Sequence, residues 1–453
     1  MSNPGEADLT PITSVQQMAE YLAEGCKPSA AFRIGTEHEK FGFRLSDLSS
    51  PPYEPNGIRA MLEGIGNDGW DWIEDHGNPI GLKRGYESVS LEPAGQFELS
   101  GAPLESLHDT AAELESHYAD VRRIAAPLGL GFAALGFHPT QSFAQMPWMP
   151  KSRYGIMRRY MPKVGALGLD MMTRTCTVQV NLDFSSEADM AAKLKVSLAL
   201  QPVATALFAN SPFKEGKPSG FLSTRAQVWT DTDTARSGMP GLMFAEDFGF
   251  ERYVDWVLDV PMYFVMRDGE MIDLAGASFR DFVAGRLDHP GVGQATMGDF
   301  ADHITTAFTD VRLKRFLEMR GADAGTAAMM VAQSALWVGL LYDEPTLAAA
   351  LSLVRKHPWE VYQALRPDVA RNALGAKFGT GTLRDVAREM VELAAQGLRN
   401  RARVNGAGED ETKFLAPLFD IIHGAPTQAE YWLGRFNGAW RGDVTKIFGE
   451  AAI

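Results

Sequence analysis

The sequence predicts an α+β protein, with an antiparallel or mixed sheet followed by a helical C-terminal layer. Two observations carry this. Strand-like and helix-like segments are mixed through residues 30–323, whereas residues 324–453 are almost wholly helical in pattern. No internal repeat, low-complexity tract or Pro/Gly/Ser-rich linker interrupts the chain, so residues 1–453 are expected to form a single domain.

Taken in order, a helix is expected over residues 14–26, and the following Glu-x-Glu segment reads as a strand. Residues 86–100 read as two short strands broken by Pro93-Ala94-Gly95. Residues 104–126 have helical spacing and end at Pro127, and residues 131–137 read as a buried strand. The alternation over 173–184 is the cleanest in the chain. Thr175, Thr177, Gln179, Asn181 and Asp183 share one face, with Cys176, Val178, Val180, Leu182 and Phe184 on the other. A helix over 187–210 then opens on Ser185 or Ser186 as N-cap. Asp268-Gly269 marks a hairpin within 263–273. Later helices are expected at 326–342, 345–357, 382–401, 411–422 and 427–440.

Composition bounds the function. With 45% hydrophobic and 22% charged residues the chain is globular rather than disordered. A net charge of −14 with no long basic run argues against a nucleic-acid partner. No apolar run is long enough for a membrane span. The two cysteines, Cys26 and Cys176, are too few for a disulfide framework or a structural zinc site. The first residues show neither a basic nor an apolar signal region, so a cytoplasmic location is expected.

Glu37 and Glu39 are the most informative pair. In Arg33-Ile34-Gly35-Thr36-Glu37-His38-Glu39-Lys40-Phe41-Gly42-Phe43 a strand projects both carboxylates to one face. Neighbouring acids repel, and a hard dication such as Mg²⁺ is the obvious partner because it takes oxygen ligands. A single Glu-x-Glu is equally a solvated strand face; recurrence is what favours a site. Glu98 lies among apolar neighbours on an alternating strand, and Glu92 stands just before the Pro-Ala-Gly break. Glu318, Arg320 and Lys314 share a face of the segment 314–320. With Gln179, these strands set carboxylates, amides and cations on one concave sheet face, as a multi-Mg²⁺ site for a polyphosphate requires. The cations of 151–160, Arg153 among them, and Arg225 beside Trp229 fit the same picture, since arginine grips carboxylate or phosphate bidentately. Arg158 and Arg159 are equally explained by surface ion pairs. No Walker A, His-Glu-x-x-His or Gly-x-Ser-x-Gly motif is present. The pattern Gly129-x-Gly131-x-x-Ala134 has a helix before it and a strand after it, the reverse of a dinucleotide site.

Several long blocks are recognisable. They are the segment 33–43, Leu91-Glu-Pro-Ala-Gly-Gln-Phe-Glu-Leu-Ser-Gly-Ala-Pro103, Arg174-Thr-Cys-Thr-Val-Gln-Val-Asn-Leu-Asp-Phe184, Ala209-Asn-Ser-Pro-Phe213, Gly220-Phe-Leu-Ser-Thr-Arg225 and Phe316-Leu-Glu-Met-Arg-Gly-Ala-Asp323. Together they resemble the glutamate–cysteine ligases of the plant and proteobacterial type. The resemblance implies a glutamine-synthetase-like fold with a funnel-shaped site. It also implies ATP-dependent joining of L-glutamate to L-cysteine through γ-glutamyl phosphate, the first step of glutathione biosynthesis. By position, Glu37, Glu39, Glu98 and Glu318 match acids that hold two or more Mg²⁺ ions around ATP, with Glu92 a further candidate. Gln179 stands where more distant relatives carry a histidine that contacts metal or phosphate. Arg225 and Arg153 match substrate-binding arginines, and Tyr263 falls where the cysteine pocket would be. Lys314 and Arg320 are phosphate contacts by their facing, and Arg225 and Arg320 are the candidate catalytic cations. A monomer or weak homodimer is expected, with no cysteine-based intramolecular switch, because Cys176 lies on an apolar strand face. Two rivals stay open: a ligase of the same fold with another amine acceptor, and a catalytically silent ATP- or metabolite-binding protein.

Overall fold

The computed structural model describes residues 8–67 and 69–453; the start of the chain, read above for targeting signals, lies outside the described residues through residue 7. Among the described residues the large sheet has nine strands. They are β1 (Ile34–Arg44), β2 (Asp71–Asp75), β3 (Asn78–Arg84), β4 (Glu87–Leu91), β5 (Phe97–Ser100), β6 (Leu130–Ala133), β7 (Thr177–Leu182), β8 (Val311–Leu313) and β9 (Leu317–Asp323). Their spatial order is β8-β9-β7-β1-β5-β4-β3-β2, with β6 pairing to β1 off this path. All these pairings are antiparallel. The first half of β1 lies between β5 and β7, and Phe41–Arg44 turns away to pair with β6.

Register decides what each face carries. Glu39 lies opposite Glu98, Glu37 opposite both Gln179 and Ser100, and Glu318 opposite Asn181. The period of two then sends Val178, Val180, Leu182, Leu99 and Met319 to the back, where all are buried. Helices Glu187–Leu207 and Ala327–Leu341 cover that back, and Thr36 Oγ1 meets Ser334 Oγ at 2.8 Å. One buried apolar cluster runs from Ile12 through the sheet back to Phe448; a second lies beneath β3–β5, against Ile58–Gly66 and Ser152–Tyr160. Among the described residues no helix is long and apolar enough to cross a membrane.

Most expected elements are present, with instructive shifts. The strand expected over 173–184 begins only at Thr177, because a helix Gly168–Arg174 runs into it. Thr173 and Thr175 donate their hydroxyls back to Leu169 O and Met171 O at 2.8 and 2.7 Å, so the alternation there belongs to a helix end. Helix Trp359–Asn372 was not expected, since Pro358 precedes it and Pro367 sits inside it. The hairpin Phe264–Arg267/Glu270–Asp273 is where its turn signal put it, with Asp268 and Gly269 at φ 50° and 82°. The Ser186 hydroxyl caps helix Glu187–Leu207 by accepting the Asp189 N–H.

The helices Ala327–Leu341 and Leu383–Arg401 touch backbone to backbone. A Cβ on Gly397 would stand 1.8 Å from the carbonyl oxygen of Gly339, and one on Gly339 would stand 2.2 Å from that of Ala394. Gly397→Ala is therefore expected to destabilise the fold by about 1–3 kcal/mol, the usual range for overpacking. A thermal melt reads this directly, and an unchanged midpoint would contradict so close an approach.

Candidate active site

The cleft lies on the polar face of the sheet. Its floor is set by the register just described, and its acids come from three strands and one turn. Glu39 Oε2 accepts the Thr177 N–H at 3.0 Å, and Glu98 Oε2 accepts the Ser90 hydroxyl at 3.0 Å. Glu92 is carried over the cleft by the Pro-Ala-Gly turn, which closes through Gly95 N–H to Glu92 O at 2.8 Å. Gln96 anchors that turn: its amide donates to Met172 O and Thr175 O, both at 3.1 Å.

This acidic wall is electrostatically strained. Burial first, and then the charges of Glu98 and Glu92, push Glu39 well above the usual carboxylate range. Burial, with Glu92 and Glu37 adding to it, pushes Glu98 up to about 7. Such a wall suits a hard cation with oxygen ligands. Among the described residues no three acids already form a closed metal cage. That is compatible with an ion which keeps several waters and takes only one or two carboxylates together with phosphate oxygens.

The opposite end of the cleft is cationic. Glu318 is fully buried and meets Arg312 at 2.7 Å, Lys314 at 2.9 Å and Arg320 at 2.6 Å. Burial alone would raise its carboxyl; Arg312, Lys314 and Arg320 outweigh burial and hold it well below the usual range. Arg320 Nη1 also donates to Gln179 Oε1. Glu37 Oε1 accepts from Asn181 Nδ2 at 2.8 Å. Arg225 projects from the short helix Thr224–Val228 and donates from Nη2 to Arg320 O at 2.8 Å. Arg153 enters from helix Ser152–Tyr160, whose first N–H donates to Asp75 Oδ2 at 2.6 Å.

Of the expected residues, Glu39, Glu92, Glu98, Arg153, Gln179, Arg225 and Arg320 line the cleft, Glu37 and Lys314 stand next to lining residues without lining it themselves, and Glu318 and Tyr263 depart further. Glu318, expected as a free metal ligand, has both carboxylate oxygens engaged by cations. Tyr263 does not line the cleft. It is buried behind Phe308, with ring centroids 6.4 Å apart, and the Arg236 guanidinium stacks on it at 4.0 Å. Phe308 and Trp229 form the aromatic wall instead. Arg158 lies over Trp148 and Arg159 pairs with Asp273 on the surface, which settles both as structural. Arg312 was missed; its three-residue strand is too short to give a periodic signal.

Comparison with known proteins assigns the chain to a family. The family model described as glutamate-cysteine ligase family 2 (GCS2) matches residues 33–450. The chain belongs to this family. It is 50% identical over 441 residues to glutamate–cysteine ligase B, chloroplastic, of Oryza sativa subsp. japonica, covering 97% of this chain and 87% of that protein. It is 49% identical, again over 441 residues, to the chloroplastic enzyme of Arabidopsis thaliana, covering 97% and 83%. A solved glutamate–cysteine ligase of Francisella tularensis, in complex with AMP, shares the fold. Its TM-score is 0.56 at 12% identity, covering 93% of this chain and 87% of that one. The glutamine-synthetase-like α+β fold expected from the sequence is therefore the fold of this glutamate–cysteine ligase family member. The cytoplasmic expectation is overturned: the plant relatives are named chloroplastic.

The raised Glu98 carboxyl has a consequence for stability. Its folded value near 7 lies above its ordinary 4.5, so the folded state holds the proton more tightly. Stability is accordingly lost as pH rises from about 4.5 to 7, and the deficit is complete above that. Glu98→Gln should stabilise the ligand-free protein by about 1–3 kcal/mol at alkaline pH and change little in mild acid. Melting curves on both sides of neutrality measure this; equal shifts at the two pH values would count against it.

Proposed function

We propose that this chain joins the γ-carboxylate of L-glutamate to the amine of L-cysteine, converting ATP to ADP and phosphate and releasing γ-glutamylcysteine. Membership of the ligase family supports the reaction. The observation that carries the site reading is the split cleft, with a carboxylate wall of Glu39, Glu92 and Glu98 facing a cationic end of Arg312 and Arg320, to which Lys314 is tied through Glu318. Magnesium–ATP is itself a dication paired with a polyanion, and the two ends match its two halves. The AMP-bound relative supports nucleotide binding on this fold. One apolar cluster shared by the sheet back and the helical layer supports residues 1–453 acting as one catalytic unit.

A carboxylate is a poor acylating agent. A γ-carboxylate oxygen of glutamate attacks the γ-phosphorus, the P–O bond to ADP breaks, and an acyl phosphate forms. The cysteine amine then attacks the acyl carbon, the C–O bond to phosphate breaks, and the nitrogen gives up its proton to a base or water. Both steps bring anions together, so neutralisation is the main task. Glu39, Glu98 and Glu92 would hold Mg²⁺, which would screen phosphate charge. Glu37 adjoins them on β1. Arg225 and Arg153 grip the carboxylates of the amino-acid substrates. Arg320 and Lys314, with Gln179 orienting Arg320, take the phosphate oxygens. Phosphate arriving there would compete with Glu318 for its cations, and the carboxylate so released would be a further oxygen donor. Phe308 and Trp229 take over the acceptor-side wall assigned above to Tyr263.

The test is ATP- and Mg²⁺-dependent phosphate release with L-glutamate, with and without L-cysteine, with products identified by mass spectrometry. Cysteine-dependent turnover giving γ-glutamylcysteine is expected, and Glu37→Gln should lower kcat by at least on the order of a hundredfold. Turnover with another amine alone would overturn the acceptor, and no turnover with any amine would leave a binding protein.

A further inference from the structure

Three of the sequence blocks that carry the family resemblance, one of them (209–213) with no part in the chemistry above, converge on one side chain. Asp323, the last residue of β9, is 1% exposed. Its Oδ2 accepts the Asn210 backbone N–H at 2.8 Å and the Ser211 hydroxyl at 2.6 Å, and its Oδ1 accepts the Ser223 hydroxyl at 2.8 Å. Both serines pass the constraint on. Ser211 Oγ accepts the backbone N–H of Arg225 at 3.2 Å, and Ser223 Oγ accepts that of Ala226 at 3.0 Å, capping helix Thr224–Val228. The far end of Arg225 is fixed to the same strand, through Nη2 to Arg320 O. Gly136 makes room for the carboxylate: a Cβ there would lie 2.3 Å from Asp323 Cγ.

A neutral side chain of similar size would serve a purely mechanical tie between loop and strand. An ionised carboxylate in a buried position is costly unless it answers a charge. Arg225 is the charge that answers it: burial raises the Asp323 carboxyl, and the Arg225 guanidinium leads the influences that oppose the rise. Arg225 is itself buried and its Nε has no partner, so its guanidinium keeps a donor in reserve.

We infer that Asp323 is a positioning residue for Arg225, holding that arginine's backbone through Ser211 and its helix start through Ser223 so that its guanidinium meets the substrate carboxylate in one fixed pose. This rests on the reading of Arg225 as the glutamate-binding arginine. Asp323 touches no substrate; it acts through Arg225, and its loss lets the guanidinium relax out of register.

The test compares Asp323→Asn and Ser211→Ala with Arg225→Ala in the full-length protein, measuring KM for glutamate, cysteine and ATP, kcat and the melting temperature. Asp323→Asn keeps the volume but turns one acceptor into a donor facing donors. Ser211→Ala removes only the relay, and stands in if the first variant does not fold. The expected result is a rise in KM for glutamate on the order of tenfold to a hundredfold, with KM for ATP within about twofold of the parent. In the Arg225→Ala background neither variant should add to the defect. If Arg225→Ala itself leaves KM for glutamate unmoved, the reading of Arg225 fails. If Arg225→Ala raises it but neither Asp323→Asn nor Ser211→Ala does, or if all three KM values move together with the melting temperature, the positioning role fails and Asp323 is structural.

Discussion

Two carboxylates set side by side on neighbouring strands repel while both are ionised, and the fold holds them there regardless. The opposition of Glu39 and Glu98 across β1 and β5 is the constraint on which the cleft depends. It is maintained by pairing on both sides of β1, by the apolar back of the same strands, and by helices packed against that back. A slip of one residue in either pairing would turn the acids into the core and the valines of β7 into the cleft. The register is therefore at once a folding and a functional requirement, and the repulsion it imposes adds to burial in raising both carboxyls.

The cationic end mirrors this logic. Glu318 draws Arg312, Lys314 and Arg320 together, which would otherwise repel one another as the acids do. The site thus presents two oppositely unbalanced halves, one satisfied internally and one not. Substrate binding rearranges ion pairs that already exist rather than building a charged site from nothing. That is the sense in which the charges of the cleft are preorganised.

What the sequence revealed and what it hid divide along physical lines. Glu37, Glu39, Glu98, Gln179 and Glu318 were legible because a period of two needs only local information, and the recurrence of polar residues at that period marked one face. Thr173 and Thr175 misled because a threonine hydroxyl satisfies a helix-end carbonyl as readily as it decorates a strand. Arg312 was invisible in a strand of three residues. Tyr263 was placed by likeness to relatives, yet whether a ring lines a cleft or lies behind another ring depends on packing that no local pattern encodes. The convergence on Asp323 spans separations of 100 to 113 residues, so only the folded chain brings it together. The acids of the polar sheet face were found, then, by period, and their supporting partners were out of its reach.

β1 carries a last implication. It is an eleven-residue strand with a neighbour on both sides through its first half and a third partner beyond. Amide protons in its central stretch should be among the slowest in the molecule to exchange with solvent, opening only when much of the sheet opens. The acids of the site therefore ride on backbone that does not breathe on its own. Any motion that admits substrates must come from the side chains and surrounding loops, with the floor remaining still through the reaction cycle.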